Sequence, residues 1–308
     1  MVVTGTAILS VILLTVVNVE FILGLLGNVF MALVSIVYWV KRGKVCAVDK
    51  IHIALGISRT AFLLSLITSL LVSLLNPDSL KIRILIRMQT ISWTVTNHFS
   101  VWLATCLSKF YFLKIANFSN SIFLALKRRV NKVVSETLVL SLIILFINII
   151  VINTITDKCQ VNSLHRSNLN NTVNFFLLTN TMFTLIPFTM SLTMFLLLIF
   201  SLWRHLKVMH RNATGCRDVS TVAHIKSLQT VVTFLLLYIF FVTSLYLQSL
   251  NINSQHKNLV VFLRGIGIAF PSGHSCALIL GNSKLRQASL SVLWWVRRKY
   301  KNTEQLTP

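Results

Sequence analysis

Seven apolar runs, each long enough to cross a bilayer, divide this chain and leave only short polar connections between them. They span residues 7–40, 51–75, 87–113, 133–155, 175–203, 227–250 and 259–282. A helix needs about 20 residues to cross the hydrocarbon core. Backbone amides in lipid must bond within their own segment, so such runs fold as helices. With 55% hydrophobic and 12% charged residues, the chain cannot be a soluble globule. The expected fold class is an all-α membrane protein, a seven-transmembrane helix bundle. The third run is the least hydrophobic, with Ser, Thr, Asn and His throughout, which predicts a central, lipid-shielded position.

Lysines and arginines are divided unequally between the two sets of connections. Segments 41–50, 114–132 and 204–226 and the tail carry 20 of them, against 6 in the opposite loops. This bias predicts an extracellular N-terminus and a cytosolic C-terminus. The net charge of +22 would fit a nucleic-acid partner in a soluble protein. Here it is spread over loops between apolar helices, and anionic membrane lipid explains it better. Residues 1–282 form the expected seven-transmembrane domain, and 283–308 a cytosolic tail. In the tail, Leu285, Ala288, Val292, Leu293 and Val296 recur at helical spacing among basic residues. That pattern predicts a short eighth helix lying on the membrane surface, where Trp294 and Trp295 suit the interface.

Of five cysteines, only Cys159 falls outside on this topology, so no structural disulfide is expected. Sequons occur at Asn117, Asn170 and Asn212, and only Asn170 faces outward for glycosylation. The eight histidines show no paired ligand spacing, and no metal or cofactor is expected. The string Pro271-Ser272-Gly273-His274 matches part of a membrane lipid-phosphate phosphatase motif. The Arg-Pro element and second histidine block of such enzymes are missing, so no catalytic residue is assigned.

Charge inside the apolar runs marks candidate sites. A guanidinium at mid-membrane costs roughly 2.5–3.5 kcal/mol on insertion scales, so Arg59 must face protein or water. At 1.5 Å per residue, Arg59 and Asn28 both lie roughly 12–18 Å from the cytosolic ends of their helices. His274 and Ser275 reach a similar depth. The four side chains predict one polar layer, serving either as a switching hub or as a static packing cluster. Glu20 is a second intramembrane charge, able to pair with Arg59 only across a bridging group. In the third run Trp93 and Asn97 stand four residues apart on one helix face. They fit a ligand floor or an interhelical packing pair. Arg264 lies one to two turns inside the last run, either lining a pocket or reaching the headgroups. Pro187 and Pro271 interrupt the fifth and seventh runs.

Longer strings carry a family resemblance. Trp93-x3-Asn97-His98-x3-Trp102 leads into Phe110-Tyr111-Phe112-Leu113-Lys114-Ile115-Ala116-Asn117-Phe118-Ser119-Asn120. Ser201-Leu202-Trp203-Arg204-His205 closes the fifth run, and Pro271-Ser272-x-His274-Ser275 lies in the last. The chain closely resembles the type 2 (bitter) taste receptors, which are G-protein-coupled receptors of the plasma membrane. The resemblance implies that small bitter ligands bind in an outward cavity and that a heterotrimeric G protein of the gustducin type is activated. Carried onto this sequence, it implies Trp93, Asn97, Phe241 and Arg264 for the ligand site. It implies Asn28, Arg59, His274 and Ser275 for the polar core. It implies Tyr111, Lys114, Arg204, His205, Arg217 and His224 for the G-protein face. Gly56 stands where alanine is usual in that family. A vomeronasal-type chemosensory receptor is the alternative closest in class.

Overall fold

The computed structural model describes residues 2–43, 46–73, 80–116, 118–161, 167–212, 219–251 and 257–304. These residues are helical almost throughout. The elements are α1 (Val2–Arg42), α2 (Ala47–Ser73), α3 (Leu80–Ile115), α4 (Ser121–Arg128), α5 (Val130–Val161), α6 (Ser167–Asn212), α7 (Val219–Asn251), α8 (Lys257–Gly281) and α9 (Ser283–Glu304). Seven of them are the long helices read from the apolar runs, and each begins ahead of its run. Hydroxyls within the runs bond to their own helix: Thr105 Oγ1 donates to Val101 O at 3.0 Å and Ser108 Oγ to Ala104 O at 2.8 Å. Such hydroxyls are carried into the bundle with their protons paired.

Local signals set the helix ends. Gly43, at φ 64°, closes α1, with its N–H donating to Trp39 O at 3.1 Å. Asn120 caps α4, accepting from Ile122 N at 2.8 Å. Asn282 separates α8 from α9 and accepts from Lys284 N at 3.0 Å. The α4 helix corrects the reading of 114–132 as a plain loop. Its eight residues are too few for a periodic signal, and it is held by Phe123 packing on Phe112 and Phe118. The described residues between the fourth and fifth runs are likewise helical, belonging to α5 and α6.

The long helices close a ring in which α1 meets α2, α2 meets α3, α5 meets α6, α6 meets α7, α7 meets α8, and α8 returns to α1. Helix α3 packs against α2, α5 and α6 together. Among the described residues, six helices are long and apolar enough to cross a membrane, and α3 is the exception. Its partners shield it from lipid, and Trp102, Thr105 and Cys106 are buried among them. The outer surfaces of α1, α5 and α6 expose Leu, Ile, Val and Phe side chains, as a lipid-facing wall requires. Helix α9 packs on α8 and α1 through buried Leu285. Lys284 Nζ lies 3.7 Å from Asp49, whose side chain is almost fully buried. Val292, Leu293, Trp294 and Trp295 stay uncovered by protein.

Candidate functional site

Arg59 lies at the centre of the bundle, with no solvent exposure. The close approach of α1 and α2 brings it opposite α8. Its Nη1 donates to Ser275 Oγ at 3.0 Å, and its Nη2 lies 2.6 Å from His274 Nδ1. Ser275 Oγ shares its proton between Asn28 Oδ1, at 2.6 Å, and Pro271 O, at 2.8 Å. Asn28 Nδ2 completes the layer by donating to Gly24 O at 2.7 Å. The four polar residues therefore meet across α1, α2 and α8. Among the described residues Arg59 has no carboxylate partner, and Glu20 is not in the layer. The guanidinium instead lies over the Phe270 ring, 5.4 Å from its centroid. His274 of the Pro-Ser-Gly-His string is thus a member of this network.

A cavity of about 450 Å³ opens on the side of the layer nearer the N-terminus. It is lined by the N-terminal halves of α1, α3, α6 and α8 and the C-terminal ends of α2 and α7. Its size falls in the range of small-molecule sites. Trp93, Phe241 and Arg264 all line it. Trp93 is set edge-on to Phe176, with ring centroids 5.4 Å apart, and tilted against Phe62 at 5.9 Å. Arg264 is accessible, and no described residue pairs with its guanidinium.

Asn97 is not among the lining residues, which corrects the expectation of a shared Trp93–Asn97 floor. Four residues advance a helix about 40° past a full turn and about 6 Å deeper. Asn97 accordingly faces a small cleft between α3, α5 and α6, beside His98, Asn148 and Asn180. There Asn148 Nδ2 donates to Asn180 Oδ1 at 3.3 Å.

Sequence reasoning missed Phe270, which touches both regions. It stacks on cavity-lining Phe241 at 4.9 Å and also lies under the Arg59 guanidinium. Phe234 adds a second ring contact, 4.3 Å from His274. Gln89 and Gln248 were also missed as lining residues. Amides inside apolar runs were the available signal for both.

At the opposite end, Lys114 and Arg204 are exposed near the C-terminal ends of α3 and α6, and Tyr111 is half-buried. Lys114 Nζ lies 5.9 Å from the Phe110 ring centroid. Lys127 Nζ donates to Ala116 O at 2.9 Å and ties α4 beneath α3. Arg217 lies outside the described residues, as do the side chains of His205, His224 and Asn170.

The profile of the family described as Taste receptor protein (TAS2R) matches residues 6–297. The chain is 68% identical to Taste receptor type 2 member 103 of Mus musculus and 66% identical to its counterpart in Rattus norvegicus, each over 100% of both chains. It is 48% identical to Taste receptor type 2 member 14 of Homo sapiens, over 93% of this chain and 92% of that one.

Proposed function

The chain belongs to the taste receptor (TAS2R) family, and on that premise we propose that it binds small bitter compounds in the 450 Å³ cavity and activates a heterotrimeric G protein of the gustducin type. The family is one of membrane receptors, not of enzymes. The observation that carries the proposal is the stacking of cavity-lining Phe241 on Phe270, the ring that also covers Arg59. A ligand pressing on the cavity wall thus acts on side chains that touch the polar layer joining α1, α2 and α8.

In this reading Trp93, Phe241 and Arg264 contact the agonist. Asn28, Arg59, His274 and Ser275 form the element whose rearrangement accompanies activation. Tyr111, Lys114, Arg204, His205, Arg217 and His224 present the G-protein face at the cytosolic end. The charge bias supports a cytosolic position for that end at the plasma membrane, with Asn170 outside as a glycan acceptor. The basic tail, 283–308, lies against anionic lipid. An agonist shifts the receptor only by its differential affinity for the active state. Bound G protein must therefore tighten agonist binding by the same factor.

The test is calcium release in cells expressing the receptor with a promiscuous G-protein α subunit, challenged with a panel of bitter compounds. A dose-dependent response is expected, and silence across the panel at confirmed surface expression would overturn the proposal. Trp93→Ala is expected to lower the potency of neutral agonists about 30-fold, since truncating a central aromatic contact costs about 2 kcal/mol. Dose–response curves normalised to surface labelling measure this shift.

A further inference from the structure

Of the polar side chains that line the cavity, most are committed to the protein itself. Asn18 Nδ2 donates to Leu14 O at 2.8 Å. Gln89 donates to Ser65 O and accepts from Thr68 Oγ1 at 2.6 Å. Gln248 Nε2 approaches Leu263 O at 3.4 Å. Arg264 differs from these. It lines the cavity, and none of its five N–H groups has a hydrogen bond or ion pair with a described residue.

Among the described residues, no acidic side chain pairs with that guanidinium, and no aspartate or glutamate lines the cavity. Glu20, the acidic residue of α1 nearest in the fold, sits beside Gly265, outside the lining set, and forms no ion pair with Arg264. The rest of the wall is mainly aromatic and aliphatic, with Phe21, Phe62, Trp93 and Phe241 prominent. A planar fork of donors beside such a wall is matched by a carboxylate, which takes two parallel hydrogen bonds. The screening that weakens exposed ion pairs is reduced inside a cavity of this kind.

We propose that Arg264 is the specificity-determining residue of the cavity and selects amphipathic organic anions, above all monocarboxylates on an aromatic or alicyclic skeleton. The inference rests on the ligand site proposed above and names its preferred chemical class. The carboxylate engages Arg264 near the mouth, and the apolar body fills the space against Trp93 and Phe241. Neutral bitter compounds bind the same wall without the charged anchor.

The experiment compares aryl-alkanoic acids with their own methyl esters in the calcium assay, on the wild-type receptor, Arg264→Gln and Arg264→Lys. The readout is the ratio of ester to acid potency, which changes in folding or surface expression move equally for both members of a pair. Wild type is expected to favour the acid by about tenfold or more, the value of one charge-assisted hydrogen bond. Arg264→Gln should bring the ratio near one. Arg264→Lys should keep part of the preference, since it retains the charge and loses the fork. Equal potency of acid and ester on the wild type would overturn the inference, whether or not the variants reach the surface. So would an undiminished acid preference in Arg264→Gln. A wild type that answers neutral bitter compounds but shows no acid preference sinks this inference alone. Silence to every compound sinks the ligand site on which it rests.

Discussion

Replacing Arg59 with alanine is expected to remove most of the receptor from the cell surface and to abolish signalling by the remainder. The side chain is fully buried and holds Ser275 and His274 of α8 against α2. Alanine leaves the His274 ring nitrogen without its partner and opens a void beside Phe270. Each hydrogen bond to a charged group is worth about 1.5–3 kcal/mol, and two of them are lost. That is a large share of a folded protein's stability, about 5–15 kcal/mol in all. Arg59→Lys should recover only part of the loss, because an ammonium lacks the fork that reaches both partners. Arg59→Met is the more informative variant. It fills the volume and spares the cost of roughly 2.5–3.5 kcal/mol for a cation at mid-membrane. A methionine variant that melts near wild type yet cannot signal identifies the layer as a switching element. One that melts near wild type and signals normally identifies it as packing. A wild-type melting temperature for Arg59→Ala in detergent would contradict the stabilising role altogether.

The depth of that layer is legible in the sequence. A fixed rise per residue puts Asn28, Arg59 and Ser275 at matching heights, and lipid forbids a lone cation. The same physics marks α3 as central from its Ser, Thr and Asn content, although the helix is less apolar than the other six. Azimuth was less legible than depth. Trp93 and Asn97 share a helix face by spacing, yet the accumulated 40° of rotation puts one in the cavity and the other against Asn148 and Asn180. Which neighbour fills that angle depends on helix packing, which residue spacing does not encode. Phe270 was invisible for a related reason. An apolar residue beside a proline in an apolar run carries no sequence mark. Its significance lies in touching Phe241 on one side and Arg59 on the other. The contributions of α1, α2 and α6 to the cavity wall were hidden in the same way, since Phe21, Phe62 and Phe176 read as ordinary lipid-facing or core residues.

A graded substitution at Gly56 should show how closely the polar layer depends on helix spacing. A Cβ at Gly56 would lie 2.7 Å from the Asn28 carbonyl oxygen, 2.9 Å from Ala32 Cβ and 3.3 Å from Ala32 N. All three atoms belong to the α1 backbone or are fixed to it, so no side-chain rotation relieves the clash. The two helices must separate instead. That separation also draws Asn28 from Ser275, whose hydroxyl now lies 2.6 Å from the Asn28 amide oxygen. Overpacking of this kind costs about 1–3 kcal/mol. A chain with alanine here must hold α1 and α2 farther apart, so Gly56→Ala is expected to lower thermal stability while leaving a folded receptor. Gly56→Val adds two methyl groups to the same clash and is expected to abolish surface expression. Gly27 supplies the control, because it adjoins Asn28 and a Cβ there would meet nothing closer than 3.9 Å. Gly27→Ala should therefore match wild type in surface labelling and melting temperature. If Gly56→Val and Gly27→Ala behave alike, the contact between α1 and α2 is looser than these distances require, and Arg59 must be held by α8 alone.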